Sequence, residues 1–219
     1  MATKTETEIA QHIHPSDFSD RVALCFVKVL RFIADKFFAG RYGHRAVVLE
    51  TVAAVPGMVG GLLQHLKSLR NIRDDQGWVR EMLDEAENER MHLMTFVQVA
   101  QPTALERFVI MATQAVFYNV YFWLYLFAPK TAHRVVGYFE EEAVTSYTHY
   151  LADIDHGRHP NPPAPQLAID YWKLPQSALL RDVILEVRND EAGHRDRNHL
   201  FADTLAAGQQ PVGCHAIEN

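Results

Sequence analysis

The chain has 219 residues, of which 48% are hydrophobic and 22% are charged, a composition typical of one folded domain rather than a disordered chain. Its formal charge of −6, with no run of basic residues, argues against nucleic acid as a partner. Its two cysteines, Cys25 and Cys214, lie far apart, so the sequence predicts neither a disulfide framework nor a zinc site.

The first twenty residues carry four acidic side chains and one basic side chain, Lys4, and they contain no long apolar run. They lack the apolar core of a signal peptide and the arginine-rich character of a transit peptide. We therefore expect a protein that is not exported, either bacterial or a eukaryotic chain already trimmed. We expect 1–19 to be an N-terminal tail, 20–206 a single domain and 207–219 a C-terminal tail.

Helical periodicity dominates the rest of the chain. Breaks are expected at Gly40 and Gly43, at 74–77, at 101–102, at Pro129 and in the proline-rich stretch 157–165. Pro175 suits the first turn of the last helix. The pattern predicts six helices, at about 20–39, 45–70, 78–100, 103–128, 131–157 and 176–206.

Two Glu-x-x-His motifs occur in the predicted helices, Glu89 with His92 and Glu191 with His194. Residues three apart share one face of a helix, so both side chains of a motif can reach the same metal ion. Chance alone gives roughly 0.8 such pairs in this composition, so the motifs by themselves also fit solvated helix faces.

An additional glutamate precedes each motif: Glu50 lies within the apolar run 46–55, and Glu140 opens a run of three glutamates. Ferritin-like di-iron bundles take one Glu from each of two helices and Glu-x-x-His from each of the other two. Four carboxylates also balance two divalent ions, and oxygen-rich ligands favour iron or manganese. The sequence therefore predicts an all-α, ferritin-like four-helix di-iron bundle with two additional helices that form a membrane-binding surface.

Tyr147 follows Glu140 by seven residues, which places it about 20° from Glu140 around the helix. It is therefore expected beside the metals, whereas Glu141 and Glu142 turn elsewhere. The alternative is a core tyrosine that is hydrogen-bonded to a carbonyl group.

The segment 108–128 has no charged residue and is long enough to cross a bilayer. A single crossing would separate Glu89 from Glu191, and one metal site could not then form. Its tyrosines and tryptophan prefer a membrane interface. We therefore predict that this helix lies in one leaflet, and that Lys28, Arg31 and the first helix contact anionic head groups. A buried core helix or a dimer interface is the alternative.

Four blocks of sequence, 49–53, 88–93, 140–143 and 190–196, closely resemble the signature blocks of the alternative oxidases. The resemblance runs in the same order roughly between residues 31 and 201. It implies a cyanide-insensitive oxidase that takes electrons from ubiquinol, reduces O2 to water and pumps no protons. It also implies two iron ions per chain and a homodimer on a membrane surface. That surface would be the cytoplasmic side of a bacterial inner membrane or the matrix side of the mitochondrial inner membrane.

The resemblance also implies roles for individual residues. The iron ligands would be Glu50, Glu89, His92, Glu140, Glu191 and His194. Tyr147 would act in oxygen cleavage, and the residues supporting the metal site would be Asn88, Asp190, Tyr171 and Trp172. The quinol pocket would be lined by Arg45, Leu49, Glu142, Ala143 and Ser146. The sequence departs from many members at Gly193, which is often histidine, and at Ser146, which is often threonine.

Other classes of protein share the ligand pattern. One is a non-catalytic, ferritin-like iron store, which needs neither the aromatic apolar helix nor a quinol pocket. A di-iron hydroxylase or a manganese catalase is a further alternative. Quinol-dependent oxygen uptake separates all of these from an oxidase.

Overall fold

The computed structural model describes residues 4–38 and 42–213, and these residues form an all-helical fold without a strand. The predicted all-α class is therefore confirmed. Cys214 and Gly40 lie outside the described residues. The helices are α1 (Glu6–Ile9), α2 (Phe18–Phe38), α3 (Tyr42–Asn71), α4 (Trp78–Ala100), α5 (Ala104–Phe127), α6 (Pro129–Asp155), α7 (Gln166–Trp172) and α8 (Leu180–Ala206).

Two closely packed helix pairs, α3 with α4 and α6 with α8, make up the central bundle. Glycines allow the helices of each pair to approach closely. A Cβ atom on Gly57 of α3 would lie 2.3 Å from the Met82 carbonyl oxygen of α4. A Cβ atom on Gly137 of α6 would lie 2.7 Å from the His199 ring of α8. Each pair contains one Glu-x-x-His motif and the glutamate that precedes it in the sequence.

The bundle has a polar layer between two apolar clusters. Along α3, Val47 belongs to one cluster and Val59 to the other, and Glu50 lies between them. The same order recurs along the three other bundle helices, so each places a glutamate between apolar neighbours. Burying one side chain such as valine stabilises the fold by about 1.5–3 kcal/mol. The two apolar clusters together can therefore offset the cost of burying the polar layer.

Two predicted helix boundaries are wrong. Gly43 does not break a helix but lies in the first turn of α3, where a glycine costs only about 1 kcal/mol relative to alanine. Pro175 does not start the last helix; its carbonyl group accepts a bond from the Ala178 amide in a turn, and α8 begins at Leu180. The seven-residue α7 was not predicted, because so short a helix shows no clear periodicity.

Helices α2 and α5 lie outside the bundle, where α2 packs on α6 and α5 packs on α3 and α6. Among the described residues, α3 and α5 are the helices that are long and apolar enough to cross a membrane. Only 11% of the apolar window of α5 is buried, against 56% for α3. Large side chains of α5 such as Phe108 and Trp123 are therefore more than half exposed.

The described parts of both predicted tails pack on the domain. Arg195 of α8 is buried, and its guanidinium group donates to the carbonyl groups of Glu8, Ile9 and Gln11. At the other end, the Gly213 amide donates to the Gln76 carbonyl group. The division into tails and domain stays a prediction, because contacts alone do not define where a folding unit ends.

Candidate metal centre

Six buried side chains from all four bundle helices meet in the polar layer. The helix α3 contributes one glutamate, α6 contributes one, and α4 and α8 each contribute a Glu-x-x-His motif. None is more than 5% exposed. These residues are Glu50, Glu89, His92, Glu140, Glu191 and His194.

Their ligand atoms form two overlapping groups. In each group the four atoms lie within 4.8 Å of one another. Glu89 and Glu191 belong to both groups, which are completed by Glu50 and His92 on one side and by Glu140 and His194 on the other. Because a carboxylate has two oxygens, Glu89 and Glu191 can each bridge two ions. The arrangement suits a pair of metal ions rather than a single one.

The donor atoms of this cluster fit a pair of iron ions. His92 Nδ1, His194 Nδ1, both oxygens of Glu89 and one oxygen each of Glu50 and Glu191 are buried without a well-aligned hydrogen bond to the described residues, although His194 Nδ1 lies 2.6 Å and His92 Nδ1 3.4 Å from Glu89. Each buried unsatisfied group costs about 1–3 kcal/mol. Two cations would satisfy all of these atoms, and two divalent charges would balance the four carboxylates. Oxygen donors with two imidazoles are the chemistry that iron and manganese accept.

Without a metal, three of the four carboxylates of the cluster, Glu89, Glu140 and Glu191, have raised pKa values, whereas the hydrogen bond and charge of His92 outweigh burial and lower the pKa of Glu50. Burial raises the pKa of Glu140 well above its ordinary value, and the neighbouring charge of Glu191 raises it further. Burial and the charge of Glu89 raise the pKa of Glu191 to about 7. Metal binding therefore has to displace protons at neutral pH.

Tyr147 lies directly beside the cluster. Its hydroxyl group donates a hydrogen bond to Glu50, and its ring stacks on Phe96 with the centroids 5.6 Å apart. Burial, followed by the charge of Glu50, raises the pKa of the phenol well above its ordinary value. The phenol therefore stays protonated, with its proton directed at a candidate ligand.

Asp190 connects the predicted supporting residues to His92. Its Oδ2 atom lies 3.3 Å from His92 Nε2 and accepts hydrogen bonds from Asn88 at 3.0 Å and from Trp172 at 2.9 Å. Asn88 also donates to the hydroxyl group of Tyr171 at 2.9 Å. A carboxylate on one ring nitrogen fixes the tautomer and orientation of an imidazole. Here it directs Nδ1 of His92 towards the cluster.

A cavity of about 720 Å³ leads to the cluster from α2 and α5. Its inner wall includes Glu50, Glu140, Glu191 and Tyr147, and its outer wall is mostly apolar. All five residues predicted for the quinol pocket line this cavity; these are Arg45, Leu49, Glu142, Ala143 and Ser146.

Ion pairs between helices surround the polar part of the cavity, and the sequence analysis missed them. Arg31 of α2 lies 2.5 Å from Glu142 and 2.9 Å from Asp35. Asp35 also pairs with Arg45, and Lys28 pairs with Glu142. Arg31 is therefore directed at α6 and not, as predicted, at lipid head groups. The spacing of Arg31 and Asp35 on one helix face was the available signal, but the partner on α6 could not be read from it.

Comparison with known proteins points to the same family as the resemblance of the sequence blocks. Residues 2–203 match the family model described as "Alternative oxidase". A protein of Batrachochytrium dendrobatidis named "Ubiquinol oxidase, mitochondrial" is 56% identical over 213 residues, which cover 96% of this chain and 67% of the relative. The protein of the same name from Mangifera indica is 55% identical, over 95% of this chain and 67% of the relative. "Ubiquinol oxidase 2, mitochondrial" from Nicotiana tabacum is 54% identical, over 95% of this chain and 72% of the relative.

Proposed function

The chain belongs to the alternative oxidase family, and on this basis we propose that it oxidises ubiquinol and reduces O2 to water. The observation that carries the proposal is the pair of ligand groups that share Glu89 and Glu191 at the inner end of an apolar cavity. The proposed cofactor is two iron ions per chain. The proposed ligands are Glu50, Glu89, His92, Glu140, Glu191 and His194.

The iron pair, when bound, supplies the reversible electron storage that oxygen reduction requires. The protein supplies the surroundings. Its four carboxylates would balance the charge of the ions, and Glu89 and Glu191 would be available to both ions. The apolar clusters on both sides of the polar layer exclude water, which strengthens every electrostatic interaction inside it.

The stoichiometry of the reaction determines how many electrons and protons the quinol has to supply. One O2 becomes two waters by taking up four electrons and four protons, and two quinols provide these as each becomes a quinone. Tyr147 lines the inner end of the cavity with its hydroxyl group bonded to Glu50. We assign to it the transfer of an electron and a proton during cleavage of the oxygen–oxygen bond.

The cavity suits a quinol head group. Its volume lies within the range of roughly 300–1,000 Å³ typical of small-molecule sites, and its walls are mainly apolar. Arg45, Glu142 and Ser146 add polar groups that can bond the two quinol oxygens. The ion pairs of Arg45 and Glu142 with α2 fix these side chains before the substrate enters.

The outer helices support attachment to one leaflet of a membrane. Exposed apolar side chains of α5 such as Val116, with those of α2 such as Ile33, border the same cavity that reaches the metal cluster. A quinol dissolved in lipid could therefore enter without crossing water. Because the relatives are named mitochondrial, we propose the inner mitochondrial membrane as its location, and the matrix side is proposed from family membership. A homodimer is also proposed, from family membership.

Oxygen uptake by the purified, iron-loaded protein in detergent tests the proposal. We expect uptake only when ubiquinol is added, with two quinols oxidised per O2 and no inhibition by cyanide. An iron store would take up iron but would not consume quinol. Oxygen uptake that requires an organic substrate would indicate a hydroxylase, and breakdown of peroxide would indicate a manganese catalase. Either result would contradict the proposal.

A further inference from the structure

Glu85 is a buried carboxylate that neither ligand group includes. It lies one turn before Glu89 on α4 and is only 5% exposed. A carboxylate is costly to bury unless it is hydrogen-bonded, so the partners of Glu85 show what retains it there. Both of its oxygens accept hydrogen bonds from the side-chain amide of Asn198 on α8, at 3.0 and 2.9 Å.

Asn198 connects Glu85 to the turn of α8 that carries His194. The same amide nitrogen lies 3.0 Å from the His194 carbonyl oxygen, and the amide oxygen lies 2.9 Å from His133 Nδ1. Asn198 and His133 are both 3% exposed or less. One buried amide is thus held between α4, α6 and α8.

The hydrogen bonds of this network have a defined direction. Burial lowers the pKa of His133 to about 4, so its ring is neutral and carries one N–H. The Asn198 amide oxygen can only accept, so His133 Nδ1 carries the N–H and donates to it, which leaves Nε2 as an acceptor 3.3 Å from the Tyr125 hydroxyl group. The NH2 group of Asn198 therefore faces Glu85, and the chain of donors ends on that carboxylate.

Each of the two histidines of the cluster is connected to a carboxylate of the opposite helix pair. His92 of α4 is oriented by Asp190, a carboxylate of α8. His194 of α8 is connected through Asn198 to Glu85, a carboxylate of α4. Burial raises the pKa of Glu85. Each helix pair thus supplies a buried carboxylate to the Glu-x-x-His motif of the other, by direct contact with the ring of His92 and through the backbone carbonyl group of His194.

We infer that Glu85, acting through Asn198, is a positioning residue for His194 and for the iron ion held by Glu89, Glu140, Glu191 and His194. The inference rests on the proposed di-iron function and deepens it. It predicts that loss of Glu85 weakens one iron site and leaves the other, completed by Glu50 and His92, intact.

A titration of the metal-free protein with ferrous iron, in competition with a chelator and without oxygen, tests the inference. In Glu85→Gln, one of the two binding steps should weaken by about 10–100-fold, the usual effect of removing a group that orients a ligand. The other step should be unchanged. At intermediate iron, the variant should give the spectrum of a single-iron form, matching His194→Ala and differing from His92→Ala.

Glu81→Gln is the matched control. Glu81 lies one turn earlier on α4, is equally buried, and pairs with Arg197, the residue before Asn198. Its loss removes a buried ion pair between the same helices, so the stability should fall while both iron affinities stay unchanged. If Glu85→Gln does not fold, Asn198→Ser breaks the same connection and should weaken the same step.

Equal weakening of both steps, or two wild-type affinities in Glu85→Gln, would overturn the inference and leave the proposed function intact. A wild-type chain that binds fewer than two irons would overturn the proposed function itself.

Discussion

The substitution Tyr147→Phe removes one hydroxyl group from the wall of the metal site and keeps the ring in place. The phenyl ring can still stack on Phe96, so the packing of the core should survive. The lost interaction is a hydrogen bond to the Glu50 carboxylate, and a bond to a charged group is worth about 1.5–3 kcal/mol. The metal-free variant should therefore be less stable by that amount but remain folded.

Activity should fall much further than stability. If Tyr147 donates an electron and a proton during oxygen cleavage, quinol-dependent oxygen uptake should fall by at least about 100-fold, the lower limit for losing a group that transfers a proton. Iron content, measured by metal analysis, should stay at two ions per chain. Rapid-mixing measurements should show that ubiquinol still reduces the irons at the normal rate.

Tyr138→Phe provides the matched control. Tyr138 lies on the same helix, is fully buried, and its hydroxyl group has no hydrogen-bond partner among the described residues. Its substitution should change neither stability nor turnover. Glu141, which the sequence places on another face, is a poor control because it bonds the Ile13 amide and His199. A Tyr147→Phe enzyme with full iron and near-normal oxygen uptake would refute the catalytic role.

Five further outcomes are expected. The pKa of Glu191 is raised to about 7 in the metal-free fold, so protons compete with iron for this carboxylate below pH 7. The affinity for iron should therefore fall as the pH decreases from 8 to 6, and an affinity that does not depend on pH would contradict this. The pKa of Glu191 is higher in the folded chain than its ordinary value of 4.5, so the folded chain binds a proton more readily than the unfolded chain. The metal-free chain should therefore gain stability as the pH falls through 7 towards 4.5, as measured by thermal unfolding. Arg45→Ala should raise the KM for ubiquinol roughly tenfold or more at unchanged iron content, and an unaltered KM would remove Arg45 from the pocket. Gly137→Ala should lower the free energy of unfolding by about 1–3 kcal/mol, because its Cβ would meet the ring of His199 on α8. Gly193→Ala has open space around its Cβ and should stabilise the fold by up to about 1 kcal/mol. Trp123→Asp should shift the protein from the membrane fraction to the soluble fraction, and equal membrane retention would argue against contact between α5 and lipid.

The helices and the cluster could be predicted from the sequence because both depend on local spacing. A glutamate within an apolar run, such as Glu50, and a Glu-x-x-His motif each define a helix face without knowledge of its neighbours. The order of these elements then indicates which faces meet. The structure brings the six side chains together as expected, and their roles as ligands stay predictions.

Contacts between distant segments could not be predicted in this way. The ion pair of Arg31 with Glu142 joins residues 111 positions apart. The contacts of Arg195 with the carbonyl groups of the N-terminal segment depend on how that segment lies on α8. The connection of Glu85 to His194 requires the side chain of Asn198 to lie between them. Each of these depends on the rotation of one helix against another, which spacing within one helix does not determine.

The central claim is that a pair of iron ions accepts the electrons of a quinol in this chain. Anaerobic mixing of the oxidised, iron-loaded protein with ubiquinol tests it most directly, with iron counted in the same sample. Two irons per chain should be reduced by one quinol, since each quinol gives two electrons. A chain that holds one metal ion, or two irons that ubiquinol does not reduce, would contradict the claim.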